Sequence, residues 1–295
     1  MLAGFSRLRS RDGAVYPAGV KDELNPQAKQ MADESMVRNL AAQAEAIWPQ
    51  ESVLLKRYAL PASARLLDAG CGTGEASVRL GELFTDATVL GVDILDAHLE
   101  RARARARRAD LLPRVHFENR SIYDLGLPTG TFDLTVCRHV LQSIPRVEAA
   151  LAELVRVTRP GGVLHLIAED YGMIHFPRRK LDPIRFWPEV PARFGGATGT
   201  DMFIGRRTPP ILRALGLEDI RVEYVVVDTL RVPRQTFAAI WMAWRDGYAD
   251  AIAEQCGLSL AEVVAHFEDQ IATILDPEAY AAWLLPVVSG VVPTR

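Results

Sequence analysis

Gly70, Gly72 and Gly74 alternate with Cys71 and Thr73 between a short apolar stretch, 65–69, and a helix-forming one that runs from 75 to about 84. Glycine tolerates positive φ, and its missing side chain lets a ligand lie against bare main chain. The unpaired N–H groups that open the following helix offer a partial positive charge to an anionic group. Buried strand, glycine loop and helix together make a cofactor seat. A chain of 295 residues with 49% hydrophobic content is long enough for one large α/β domain, or a core with helical additions.

The residues around the loop narrow the choice of cofactor. A dinucleotide fingerprint, G-x-G-x-x-G, needs its third glycine where Glu75 stands. Asp68 lies just before the loop, and two carboxylates beside a pyrophosphate repel it. The Gly-Lys-Ser/Thr ending of a Walker A loop is absent. A cofactor without phosphates and with an ammonium group fits better, and S-adenosylmethionine has both an α-ammonium, suited to Asp68, and a carboxylate.

Leu-Leu-Asp-Ala-Gly-Cys-Gly-Thr-Gly (66–74) resembles motif I of the class I S-adenosylmethionine-dependent methyltransferases. Further matches follow in order. A second strand, 87–92, ends at Asp93, about 20 places after the loop, where a carboxylate can accept both ribose hydroxyls, with Ile94 against the adenine face. A third strand, 114–119, precedes Ser121, which stands where the family usually has an acid for the adenine amino group; the Ile122 N–H can reach an adenine nitrogen. Gly-Thr-Phe-Asp (130–133) resembles the family's GxFD segment and opens a fourth strand, 130–137; main chain at Cys137 and Arg138 then borders the methionine part of the cofactor, with Gln142 nearby. Arg-Pro-Gly-Gly (159–162) resembles the turn before the fifth strand, 163–168.

The resemblance implies a Rossmann-like seven-stranded sheet, six strands parallel and the seventh antiparallel between the fifth and sixth, with helices on both faces. N-terminal helices and a helical insertion before the last strand are added to it. The expected divisions are an N-terminal arm and helical cap at 1–60, a cofactor-binding core at 61–170, a substrate-recognition insertion at 171–207, and the rest of the sheet at 208–295 with a helical insertion at 234–285. Within the cap, apolar residues recur at helical spacing from Met36 to Trp48, Pro49 is expected to break the helix, and a second helix follows at 51–58. The segment 171–207, rich in Pro, Gly, Arg and aromatic residues, reads as irregular. A short helix is expected at 277–285 and the closing strand at 286–293.

The resemblance implies S-adenosylmethionine as donor, S-adenosylhomocysteine as product and no metal, with Asp68, Gly70, Cys71, Gly72, Gly74, Asp93, Ile94, Ser121, Ile122, Cys137, Arg138 and Gln142 at the cofactor. The expected reaction is methyl transfer to an oxygen, nitrogen or carbon of a small molecule, in a biosynthetic pathway. Candidates for a general base are His175, Asp170 and His139, in that order, the first two because ligands sit outside the carboxyl ends of parallel strands. Tyr16, Tyr171, Phe186 and Trp187 are the substrate-binding candidates. A protein side-chain methyltransferase and a non-catalytic cofactor-binding protein are the alternatives.

A formal charge of −3 gives no electrostatic reason to expect nucleic acid. The arginines between 101 and 108 point in several directions on a helix and form no stripe. Three scattered cysteines suggest neither a disulfide framework nor a zinc cluster, and a cytoplasmic setting is expected. No apolar run reaches membrane-spanning length. A monomer or homodimer is expected.

Overall fold

The computed structural model describes residues 24–294, together with the backbone of two short paired strands, β1 (Leu8–Arg9) and β2 (Val15–Tyr16). A four-residue helix, α1 (Ala28–Met31), leads into α2 (Glu34–Leu55). Asp33 caps α2, its carboxylate accepting from the Ser35 N–H at 2.8 Å. The expected break at Pro49 does not occur, and α2 runs through it. Pro49 and Glu45, whose carbonyl loses its helical partner, both lie on the exposed side. Burial of Ile47, Glu51, Leu54 and Leu55 on either side of the proline outweighs its helix cost of about 3 kcal/mol.

The core then alternates strand and helix: β3 (Arg65–Ala69), α3 (Glu75–Leu83), β4 (Thr88–Asp93), α4 (Asp96–Arg108), β5 (Val115–Asn119), β6 (Phe132–Arg138), α5 (Val147–Val157) and β7 (Thr158–Ile167). Asp96 opens α4 without capping it; Leu95 holds the cap position, and the Asp96 carboxylate accepts from Asn119 Nδ2 at 2.8 Å. After β7 come β8 (Ile174–His175), α6 (Pro183–Phe186), α7 (Glu189–Thr198) and α8 (Ile204–Ala214). The stretch expected to be irregular is thus largely helical. Its prolines 183 and 191 sit in first turns, where no N–H is needed, and Gly199 at φ +71° ends α7. The chain closes with β9 (Glu218–Asp228), α9 (Arg234–Cys256), α10 (Leu260–Leu275) and β10 (Ala282–Val291).

The sheet runs β5-β4-β3-β6-β7-β10, with β9 on the other edge of β10 and β8 extending the β7 edge. Neighbours from β5 to β7 pair in parallel, and β10 pairs antiparallel with β7 and β9. Six parallel strands with an antiparallel seventh is the expected Rossmann-like arrangement. The last strand starts earlier than expected. Residues 282–285 are strand because Trp283 and Leu285 pair with Val227 and Val225 and are buried, which overrides the helix preference of an Ala- and Leu-rich stretch.

Strand alternation sends neighbouring residues to opposite faces. Leu66 packs with α3 and α4, and Leu67 packs with α5 and α8. A third cluster, rich in tryptophan and phenylalanine, joins β9 and β10 to α2, α7, α9 and α10. It lies at the end of the sheet beside the carboxyl ends of β6 and β7.

Candidate active site

The glycine loop leaves β3 and is stapled to the next strand. The N–H groups of Gly70 and Cys71 both donate to the Val92 carbonyl, at 2.8 and 2.9 Å. Gly70, Gly72 and Gly74 all have positive φ. A β-carbon on Gly72 would stand 3.0 Å from Leu40 Cδ1, so α2 lies directly over the loop. Asp93, at the end of β4, accepts from the Gly72 N–H at 2.9 Å through one oxygen and from the Leu95 N–H at 3.0 Å through the other. The same carboxylate therefore shapes the loop and faces the position beside it, where Ile94 is exposed. Asp68 is buried and accepts from the Ser77 hydroxyl at 2.5 Å. Burial pushes its carboxyl up to about 6, against the Ser77 bond and the nearby Arg138 charge. A pocket with about 350 Å³ of atom-free space, part of it open to solvent, runs along this loop, lined by Asp68, Gly70, Cys71, Thr73 and Arg138 on the sheet side and by Leu40 and Gln43 of α2.

A second cleft adjoins it. It contains about 710 Å³ of atom-free space, part of it open to solvent, and shares Leu40, Gln43 and His139 with the first. Its far walls are apolar: Tyr171 stacks on Trp187 at 5.8 Å with 12° between planes, and Trp244 tilts against Tyr171 at 5.7 Å. Phe194, Met202, Ile252 and Phe267 complete them. Burial, with the Glu169 charge, pushes the Tyr171 and Tyr248 hydroxyls up, so both stay protonated.

Where the two pockets meet, polar side chains converge. His139 follows β6 at φ +57°, a left-handed conformation that costs a non-glycine residue about 1–2 kcal/mol. Its N–H donates to the Ile167 carbonyl at 3.1 Å, and its carbonyl accepts from Gln142 Nε2 at 2.8 Å. Its Nδ1 lies 2.5 Å from Glu169 Oε1. Glu169 is 1% exposed and comes from the segment after β7. An ionised carboxylate only accepts, so Nδ1 carries a proton, and in the neutral imidazole Nε2 is the acceptor. Among the described residues Nε2 has no partner, and neither has Gln142 Oε1 or Glu169 Oε2.

Arg138, one residue earlier, is held from behind. Its Nε and Nη2 each lie 2.8 Å from an oxygen of the fully buried Glu51 of α2. His165 Nε2 is 3.2 Å from the same carboxylate, and Tyr58 Oη is 2.7 Å from His165 Nδ1. Burial raises the Glu51 carboxyl, but the Arg138 charge and the His165 contact outweigh it and bring it down to about 2. These contacts fasten α2 to the sheet beside the smaller pocket.

The residues singled out in the sequence are thus distributed as follows. Asp68, Gly70, Cys71 and Arg138 line the smaller pocket. Gly72, Gly74, Asp93 and Ile94 form the loop and the strand end beside it. Ser121 and Ile122 lie in a turn after β5, where the Ser121 hydroxyl accepts from the Tyr123 N–H. Cys137 is fully buried in β6, with its side chain in the core. Gln142 lines the larger cleft, as do Tyr171 and Trp187. Phe186 is buried behind that wall, against His266 and Phe267. His175 is exposed and borders a separate surface hollow with Arg179 and Tyr280, outside both pockets. Asp170 is buried in a two-bond ion pair with Arg206, both at 2.6 Å, and its carboxylate also caps a short turn. The Tyr16 side chain lies outside the described residues. Sequence reasoning assigned nothing to Glu169, Asn39 or Gln43. The latter two sit on the polar side of an amphipathic helix, and only the docking of α2 places that side at the pockets. Among the described residues, no cluster of three or more His, Cys, Asp or Glu side chains has the arrangement of a metal site, and no helix is long and apolar enough to cross a membrane.

Residues 67–166 match the profile of the methyltransferase domain family. The chain is 38% identical over 107 residues to 27-O-demethylrifamycin SV methyltransferase of Amycolatopsis mediterranei, and 42% identical over 101 residues to trans-aconitate 2-methyltransferase of Deinococcus radiodurans. These alignments cover 36% and 34% of this chain, and the chain spans 39% and 36% of those relatives' length. Among solved structures, the [4+2]-cyclase SpnF superposes with a TM-score of 0.54 at 22% identity, over 83% of this chain and 82% of that one. Phosphoethanolamine N-methyltransferase 2 of Haemonchus contortus superposes with a TM-score of 0.57 at 18% identity, over 95% of this chain and 62% of that one. Motif order, sheet topology and these likenesses agree: the chain has the fold of the class I S-adenosylmethionine-dependent methyltransferases, and residues 67–166 match the methyltransferase domain family.

Proposed function

We propose that the protein transfers a methyl group from S-adenosylmethionine to an oxygen, nitrogen or carbon nucleophile of a small molecule, with His139 as general base and Glu169 as the group that orients it. The observation that carries this reading is the position of His139: it lines both pockets, and its buried Nε2 has no partner among the described residues.

The residues along the smaller pocket fit the cofactor. The glycine loop presents bare main chain, Thr73 Oγ1 is buried without a partner, and carboxylates at Asp68 and Asp93 suit an ammonium and a ribose. When bound, S-adenosylmethionine supplies a methyl group already activated by its positive sulfur. The protein's own work is then mostly positioning, which holds two reactants at near-attack distance and is worth about 7–11 kcal/mol. The stacked aromatic wall grips the acceptor's apolar body, and α2 closes over the glycine loop to keep water out. His139 Nε2 takes the proton that the nucleophile loses, and the resulting imidazolium is stabilised by Glu169 at Nδ1. Residues 24–60 act in this scheme as the cap and 171–207 as the acceptor-binding wall.

The test uses labelled donor with a panel of lysate metabolites. His139→Ala is expected to keep S-adenosylhomocysteine binding while losing about 10²–10⁴-fold in turnover. Full turnover by that variant removes His139 from the mechanism.

A second reading is favoured by the apolar, aromatic wall. SpnF is titled a [4+2]-cyclase, and a relative from Talaromyces variabilis, 34% identical over 123 residues, is named an S-adenosyl-L-methionine-dependent Diels-Alderase. A cleft of this kind can fold an apolar acceptor for cyclisation while the cofactor stays intact. Cofactor binding with no label transferred to any extract supports that reading.

A further inference from the structure

We propose that the larger cleft selects a neutral or cationic molecule that carries a hydroxyl or amine donor on a flat apolar body, and that it rejects carboxylates and phosphates. This rests on the methyl-transfer reading and names its acceptor class.

Among the described residues that line the cleft, most of the buried polar atoms without a partner are acceptors, and Gln27 Nε2 is a donor. His139 Nε2, Gln142 Oε1 and Glu169 Oε2 are buried and unpartnered. Bonds on their other atoms fix these roles. Gln142 gives one amide N–H to the His139 carbonyl, and its oxygen is left without a partner among the described residues. The Glu169 carboxylate has no donor to give. The Nδ1 contact with Glu169 makes His139 Nε2 the lone-pair nitrogen of the neutral imidazole. A buried acceptor without a partner is unfavourable, and a ligand that brings N–H or O–H groups relieves it. A carboxylate or phosphate brings acceptors to acceptors and a negative charge toward Glu169.

No countercharge offsets this. Among the described residues that line the cleft, none is Lys or Arg. Arg138, on the adjoining pocket, is already paired with Glu51. The hydroxyls of Ser143 and Tyr171 rotate to suit either polarity and do not decide the matter. The shape of the body follows from the opposite wall, where the near-parallel Tyr171 and Trp187 rings offer flat apolar surface.

The experiment is titration calorimetry near pH 7 on wild-type protein saturated with S-adenosylhomocysteine, with 2-naphthol, 2-naphthylmethylamine, 2-naphthoate and 2-naphthyl phosphate as probes. The naphthol and the amine are expected to bind about 10-fold or more tighter than either anion, since a site built for hydrogen-bond donors discriminates strongly. Gln142→Leu is expected to narrow the naphthol advantage by about threefold or more. The wild-type ranking alone decides the inference. Anions that bind as well as the donors overturn it, and so does an absence of donor binding to the loaded protein. Failure of S-adenosylhomocysteine itself to bind overturns the methyl-transfer reading instead.

Discussion

Gly70 holds φ at +73°, and a β-carbon there would lie 2.4 Å from Val140 Cγ2. Two costs therefore meet at one position, a left-handed backbone and a clash that Val140 must move to relieve. Gly70→Ala is expected to lower stability by about 1–3 kcal/mol and to weaken S-adenosylhomocysteine binding, read by urea unfolding and calorimetry. Asp68 makes a pH-dependent prediction. Its carboxyl titrates near 3.8 when free and at about 6 in the folded chain. Between those values the folded state holds a proton that the unfolded state has released, so the group's contribution falls as pH rises from about 4 to about 6. The full shift corresponds to about 3 kcal/mol. Asp68→Asn keeps an acceptor for Ser77 and removes the titration. Its stability relative to wild type is expected to rise by about 2–3 kcal/mol between pH 4 and pH 7. A constant difference across that range would refute the buried-carboxylate assignment. At this scale the sequence is legible where the backbone itself sets the requirement. Glycines at alternate positions announce positive φ, whereas nothing local to His139 announces Glu169, 30 positions away.

At the scale of elements, the attachment of α2 to the sheet is the decisive contact. Glu51, Arg138, His165 and Tyr58 connect α2 and the segment after it to β6 and β7. Glu51→Ala leaves the Arg138 guanidinium buried with no carboxylate and is expected to destabilise the fold by about 3–5 kcal/mol at neutral pH. Because the Glu51 carboxyl is depressed from 4.5 to about 2 in the folded chain, its contribution is complete above about pH 4.5 and is lost as pH falls toward 2. The gap between variant and wild type is therefore expected to shrink on acidification, as followed by denaturant titration from pH 3 to pH 7. The helical period from Met36 to Trp48 was readable from spacing, but its continuation past Pro49 was not. A local rule about proline yields where both flanks are buried by distant strands. The loop after β7 shows the same limit. Its position over the site follows from parallel topology, but successive residues point in different directions, so Glu169 turns to His139 while Asp170 turns to Arg206 and His175 reaches the surface.

Across the whole molecule, the glycine-loop pocket and the aromatic wall of the larger cleft come from different parts of the chain. Binding of S-adenosylhomocysteine at 100 times its Kd is expected to add about 2.7 kcal/mol, which raises Tm by roughly 4–8 °C for a chain of this size. Trp244 lines the larger cleft, not the glycine-loop pocket. Trp244→Ala is expected to cost about 3–5 kcal/mol in base stability while it retains that ligand-induced rise in a thermal melt. Loss of the rise would show that the two halves are coupled. The sequence by itself determined the strand–loop–helix unit and the acid at the end of β4, because each is set by short-range spacing and backbone conformation, while the sheet arrangement was implied by the resemblance of its motifs. Only the tertiary structure decided which histidine borders both pockets, which carboxylate lies against it and which aromatics form the cleft wall. Those groups lie far apart in the chain and meet only when α2, α7 and α9 pack over the carboxyl ends of the strands, where burial and side-chain direction are fixed by the whole sheet at once.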